Sequence, residues 1–127
     1  MKAANRLEAA LMKAHRSDAL TKQRGCCIYC LEPMPRQHAT ADHRVPRAAG
    51  GSKGKQNIAA ACRDCNAAKA AMTEASFLRL IKSPSGSASL NILLARFRRN
   101  MWIKTHACKR RILKTVGLEY RGPRKVA

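Results

Sequence analysis

The chain has 127 residues and carries 26 Lys and Arg against 7 Asp and Glu, a formal net charge of +19. That length holds one domain of ordinary size, yet its 22 Leu, Ile, Val and Phe, beside so much charge, are too few for apolar burial alone to hold a fold. No window approaches the ~18 apolar residues of a membrane span, and the opening MKAANRLEAALMKAHR has charge where a secretory leader needs an apolar run, so no membrane role and a reducing, cytoplasmic location are expected.

Leu7, Ala10, Leu11 and Ala14 recur at helical spacing, which predicts an amphipathic helix over 1–22 packed on the domain as a brace. From Gly25 to Asn66 the texture changes to short segments broken by Pro33, Pro35, Pro46, Gly50, Gly51 and Gly54, which suits strands and loops. Residues 66–71 read as a helix, and Thr73 can cap another through Phe77, Leu78 and Ile81 before the linker SPSGS. A long helix follows from Ser89 to about Leu113, with Leu90, Leu93, Leu94, Phe97, Met101 and Ile112 toward one side, and then a basic RGPRK tail. The expected division is an N-terminal helix (1–22), a central core (24–82) and a basic C-terminal helix and tail (87–127).

Six cysteines offer the missing stabilisation. Cys27 and Cys30, then Cys62 and Cys65, form two Cys-x-x-Cys pairs with 31 residues between them. The two-residue gap lets both thiolates of a pair turn toward one ion, and two pairs complete a closed tetrahedral zinc site of structural type. Disulfides or free thiols are the rival reading. Zinc binding in small metallo-domains contributes an apparent ~10–16 kcal/mol, enough to replace a large core. Cys26 competes with Cys27 for the first ligand place, and the spacing favours Cys27. Cys108 reads as a small packed side chain.

The charge needs a polyanion, and nucleic acid is the commonest, with an anionic membrane the lesser alternative. From Arg96 to Lys125 there are 11 Lys or Arg and one acid, Glu119. A solvated helix interleaves both signs, so Arg96, Arg98, Arg99, Lys104, Lys109, Arg110 and Arg111 are candidate phosphate contacts, which fix position without reading bases. Trp102 and Tyr120 could stack on bases, although a core place beside Met101 suits Trp102 better.

Between the cysteine pairs stand Asp42-His43, Pro46, Gly50-Gly51 and Asn57, followed after Cys65 by Asn66 and Lys69. In order and spacing this segment resembles the zinc-containing HNH endonucleases over roughly residues 24–82. The resemblance implies an α+β architecture, a ββα-metal core with flanking helices, in which two antiparallel strands and a helix surround one divalent ion. The chemistry of the residue types agrees. Hydrolysing a phosphodiester needs an activated water and charge stabilisation at the phosphate. Asp42 offers a hard oxygen to Mg²⁺ or Mn²⁺, and His43 beside it is the candidate general base. Because neighbours on a strand point to opposite faces, the strand must end or bend at this pair. By resemblance Asn57 fixes the loop and orients His43, and Asn66, where the family commonly has His, is a second ligand of the catalytic ion. Lys69, one helical turn from Asn66, is a candidate phosphate contact. Gly50 and Gly51 read as turn glycines, and His38 as a surface residue.

The function so implied is a small metal-dependent DNA endonuclease of phage or bacterial type. It would work by a one-metal HNH mechanism and nick with low sequence specificity. The oligomeric state is open, a dimer included, since a single site cuts one strand per encounter. The rivals are a non-catalytic zinc-ribbon nucleic-acid-binding protein and a ribosome-associated or packaging protein.

Overall fold

The computed structural model describes residues 3–83 and 88–119, so part of the SPSGS linker, Tyr120 and the RGPRK tail lie outside the described residues. The elements in chain order are α1 (Ala3–Lys22), β1 (Ala39–His43), β2 (Ile58–Cys62), α2 (Arg63–Lys69), α3 (Glu74–Lys82) and α4 (Leu90–Thr115). The architecture is α+β. β1 and β2 pair antiparallel in the register Ala39↔Cys62 to His43↔Ile58, and α2 follows β2 without a break.

The hairpin is made of alanine where it is most enclosed. Ala39, Ala59, Ala60 and Ala61 are all buried, and side chains this small let neighbouring backbone come close. Gln23, at the end of α1, exploits that approach by donating from Nε2 to Ala60 O at 2.8 Å and accepting from Ala60 N at 3.0 Å. Ile28 N–H adds a bond to the same carbonyl at 3.1 Å. The exposed edge of β2 is thereby closed, which removes a template for unwanted pairing.

The amphipathic reading of α1 needs correction. Leu7 and Leu11 are exposed, and the helix buries only Ala19 and Leu20 at its C-terminal end, where it meets the hairpin. The predicted helix over 66–71 begins earlier and stops sooner. Cys62 caps it by accepting from Cys65 N at 3.4 Å, and it ends where Ala70 takes φ +50° and Met72 N–H closes a turn on Lys69 O. Thr73 caps α3 as expected, accepting from Ser76 N. α4 turns the apolar side read from its sequence away from the core. Its buried residues are Ile92, Ala95 and Arg99, whereas Leu90 (71% exposed), Phe97 (63%), Leu93, Leu94, Met101 and Ile112 face outward. Cys108 is exposed rather than packed. Trp102 lies half-buried with its ring tilted at 47° against that of His106, in place of a core position.

The core sits between these layers. Tyr29 and Phe77 meet edge to face at 4.9 Å, and around them lie Leu20, Met34, Ile81, Ile92, Ala95 and the cysteines. No helix of the described residues is long and apolar enough to cross a membrane.

Candidate active site and metal centre

Cys27, Cys30, Cys62 and Cys65 place their sulfurs within 4.8 Å of one another, with the Cys30 and Cys62 sulfurs 3.9 Å apart. Four thiolates at about 2.3 Å from one tetrahedral ion lie about 3.8 Å from each other, so the donor set fits such an ion. Backbone N–H groups of Tyr29 and Cys62 donate to Cys27 Sγ, each at 3.4 Å. These bonds favour a thiolate there. Hydrogen bonding among the four groups pulls Cys27 and Cys62 below the ordinary thiol pKa and pushes Cys30 and Cys65 above it. Four sulfurs this close cannot all be anionic unless a cation joins them. Cys26 stays out of the cluster, bridged to Pro33, and burial pushes its thiol pKa up.

The first cysteine pair is joined to the end of the hairpin. Asp42 is 3% exposed and its carboxylate is held from two sides. Tyr29 Oη donates to Oδ2, and Lys69 Nζ, on α2, lies 3.1 Å from Oδ1. Lys69 is itself 1% exposed and also donates to His43 O at 2.9 Å. This placement corrects its reading as a phosphate contact, because an ammonium so enclosed is an internal counter-ion. Burial, together with the bond to Asp42, drives the Tyr29 phenol pKa far above its ordinary value, so it remains a donor.

β1 ends at His43, meeting the requirement that the strand stop at the Asp-His pair. The His43 side chain is half-buried, and its Nε2 has no hydrogen-bond partner among the described residues. Past the strand, Asn57 gathers the loop. Its Oδ1 accepts from Val45 N at 2.9 Å, its Nδ2 donates to Val45 O at 3.0 Å and Ser52 O at 2.7 Å, and its backbone carbonyl accepts from Arg44 N at 2.8 Å. The same loop demands glycine at 51, where a Cβ would come within 1.7 Å of Val45 O. Arg44 then ties the loop to α3 through a two-bond pair with Glu74, at 2.7 and 2.9 Å. Asn66 sits half-buried on α2, one turn before Lys69 and so on the same face.

Residues 27–81 match the HNH endonuclease family. Over this segment the chain is similar to HNH endonuclease domains. No curated protein and no solved structure matches the chain. Within the matched segment the hairpin and α2 supply the two strands and helix that the resemblance implied, and the cysteine cluster joins the turn before β1 to the junction of β2 and α2. The described structure therefore puts Asp42 and His43 at a strand end, Asn66 on the facing helix, and Asn57 at the base of the connecting loop.

Sequence reasoning missed two residues here. Tyr29 was only a spacer between ligands, and the signal available was its size: a large aromatic inside a Cys-x-x-Cys turn has to reach somewhere. Gln23 carried no motif at all.

Of the candidate phosphate contacts, the structure divides one group from another. Arg99 is 4% exposed and donates to Tyr29 O at 2.8 Å, a structural bond that removes it from the phosphate-facing set. Desolvation lowers its pKa from the ordinary value. Arg96 donates to Leu80 O at 2.8 Å and Arg98 pairs with Asp64 at 2.8 Å. Lys104, Lys109, Arg110 and Arg111 lie exposed on the outer half of α4. A separate cleft of about 350 Å³ between α1 and the hairpin is lined by His15, Lys22, Arg44 and Lys55, an additional concentration of basic groups close to the end of β1.

Proposed function

We propose that the protein is a metal-dependent DNA endonuclease that hydrolyses phosphodiester bonds, with zinc in the cysteine cluster and Mg²⁺ or Mn²⁺ at Asp42 and Asn66. The observation that carries this reading is the HNH endonuclease family match over a segment that contains Asp42, His43, Asn57 and Asn66, the residues on which the resemblance rests. Each Asp42 oxygen keeps a lone pair beyond the one used by Tyr29 or Lys69, and the Asn66 amide adds another hard oxygen, so the donors suit a hard cation. A divalent ion held there supplies Lewis-acid stabilisation of charge at the scissile phosphate. His43, whose Nε2 has no protein partner, takes the proton from the attacking water. Asn57 holds the loop that fixes where His43 can point. The exposed cations of outer α4 and the basic cleft beside α1 hold the DNA backbone, which supports nicking with low sequence specificity.

The test is nicking of supercoiled plasmid in Mg²⁺ or Mn²⁺, with EDTA as the control. The wild type should nick only with the metal. His43→Ala should lose at least ~10²-fold in rate, the usual scale for a general base, while binding the plasmid normally. Near wild-type cutting by that variant would remove His43 from its role. One observation favours a second reading: both oxygens of the nearly inaccessible Asp42 are already engaged. A catalytically silent zinc-ribbon nucleic-acid-binding protein would bind plasmid in every buffer and nick it in none.

A further inference from the structure

Tyr29 belongs to the metal knuckle by position and to the hairpin by contact. It lies between Cys27 and Cys30 and is fully buried. Its backbone N–H donates to Cys27 Sγ, and its carbonyl accepts from Arg99 Nη1 on α4. Its ring is held edge to face by Phe77 on α3. With backbone and ring both fixed, the phenol oxygen has one place to be, and there it donates to Asp42 Oδ2.

Lys69 reaches the other oxygen of the same carboxylate, but the two donors differ in kind. An ammonium is a compact charge whose three donors can rotate, so it neutralises without imposing a direction. A phenol donates a single proton along one line, and a carboxylate held by such a bond has its plane set in advance. Partners of this sort behind a metal ligand typically account for ~10–100-fold in metal affinity.

We infer that Tyr29 is a positioning residue that links the cysteine cluster to Asp42 and sets the carboxylate's orientation toward the catalytic ion, an inference that rests on the reading of Asp42 as a ligand of that ion. Order in the knuckle is then transmitted to the catalytic site through one side chain, across the distance from Cys27 to β1.

The experiment uses the full chain with zinc loaded and measures Mn²⁺ binding by electron paramagnetic resonance, with no substrate present. Tyr29→Phe keeps the ring and removes only the donor. It should retain zinc by elemental analysis and a cooperative melt, and bind Mn²⁺ at least ~10-fold more weakly. Phe77→Leu loosens the seat of the ring but leaves the donor, and should weaken Mn²⁺ binding by less than Tyr29→Phe does. Wild-type affinity in Tyr29→Phe overturns the inference, as does an equal loss in Phe77→Leu or a Tyr29→Phe chain that does not fold with zinc bound. Asp42→Ala separates the two levels. If it binds Mn²⁺ as the wild type does, the ligand reading itself falls and the inference with it. If it loses Mn²⁺ while Tyr29→Phe does not, only the inference falls.

Discussion

The cysteine cluster with its hairpin and the outer half of α4 are stabilised in opposite ways. In the first, side chains are small or already engaged: buried alanines line the strands, Gln23 satisfies both backbone groups of Ala60, and the buried charges of Asp42 and Lys69 neutralise each other. In the second, from Met101 to Thr115, only Trp102, His106 and Leu113 are even half-buried. That segment is helical because it continues a helix whose first turns pack on α2 and α3. The inner region answers its own needs, and the outer one presents cations to something else. Damage to the first should therefore cost the fold, and damage to the second should cost only binding.

The largest effect is expected from Cys62→Ser. This residue ends β2, belongs to the sulfur cluster and caps α2, so its loss should leave a chain without metal and without a cooperative fold. The apparent ~10–16 kcal/mol of a structural zinc matches or exceeds the whole stability of a small domain. Elemental analysis with circular dichroism checks this, and a folded, active, metal-free sample contradicts it.

Next in size is Lys69→Met. It leaves the Asp42 carboxylate buried without its cation, a change that typically costs ~3–5 kcal/mol. Chemical denaturation with zinc present measures it. A loss below ~0.5 kcal/mol, the scale of an ordinary surface substitution, would mean that the ion pair opens to solvent and that the comparison between the two regions is drawn too sharply.

On the outer side, replacing Lys104, Lys109, Arg110 and Arg111 together with Ala should leave the melting behaviour near wild type and flatten the dependence of log K on log salt by roughly 3–4 units, at about 0.9 per phosphate contact. The weakening should be similar on unrelated duplexes, because such contacts read no bases. Anisotropy titrations across a salt series check both points. An unchanged slope would direct attention to the cleft beside α1.

The smallest effect is expected from Phe97→Ser. A side chain 63% exposed has little burial to lose, so the change in stability should stay within ~0.5 kcal/mol. A loss several times larger would show that the apolar stripe of α4 is covered in solution.

How much of this could be read beforehand follows from the physics of each signal. The cysteine spacing, the Asp-His pair and the Thr73 cap are local patterns, and each stands where its spacing placed it. Helical periodicity was less informative in α4. It groups Leu90, Leu94, Phe97 and Met101 on one side without saying which side is inside, and the inward set Ile92, Ala95 and Arg99 contains an arginine that composition assigns to solvent. Lys69 was misread for the same reason. The burial of a cation depends on an anion, and its partner Asp42 is far away in sequence and close only after the hairpin and α2 meet. Tyr29 and Asp42 likewise become neighbours only when Cys27 and Cys62 share a cluster.

That last dependence has a consequence for the order of events on the ribosome. Cys27 and Cys30 emerge first but cannot complete a tetrahedral site, because Cys62 supplies the third sulfur and Cys65, 35 residues after Cys30, the fourth. At ~5–20 residues per second the first pair waits roughly two to seven seconds for its partners. During that interval the Tyr29 side chain has no settled backbone and Asp42 has no settled plane. A polypeptide released before position 62 is then left with half a metal site and an unpaired first strand, so an unfinished copy brings none of the candidate site together.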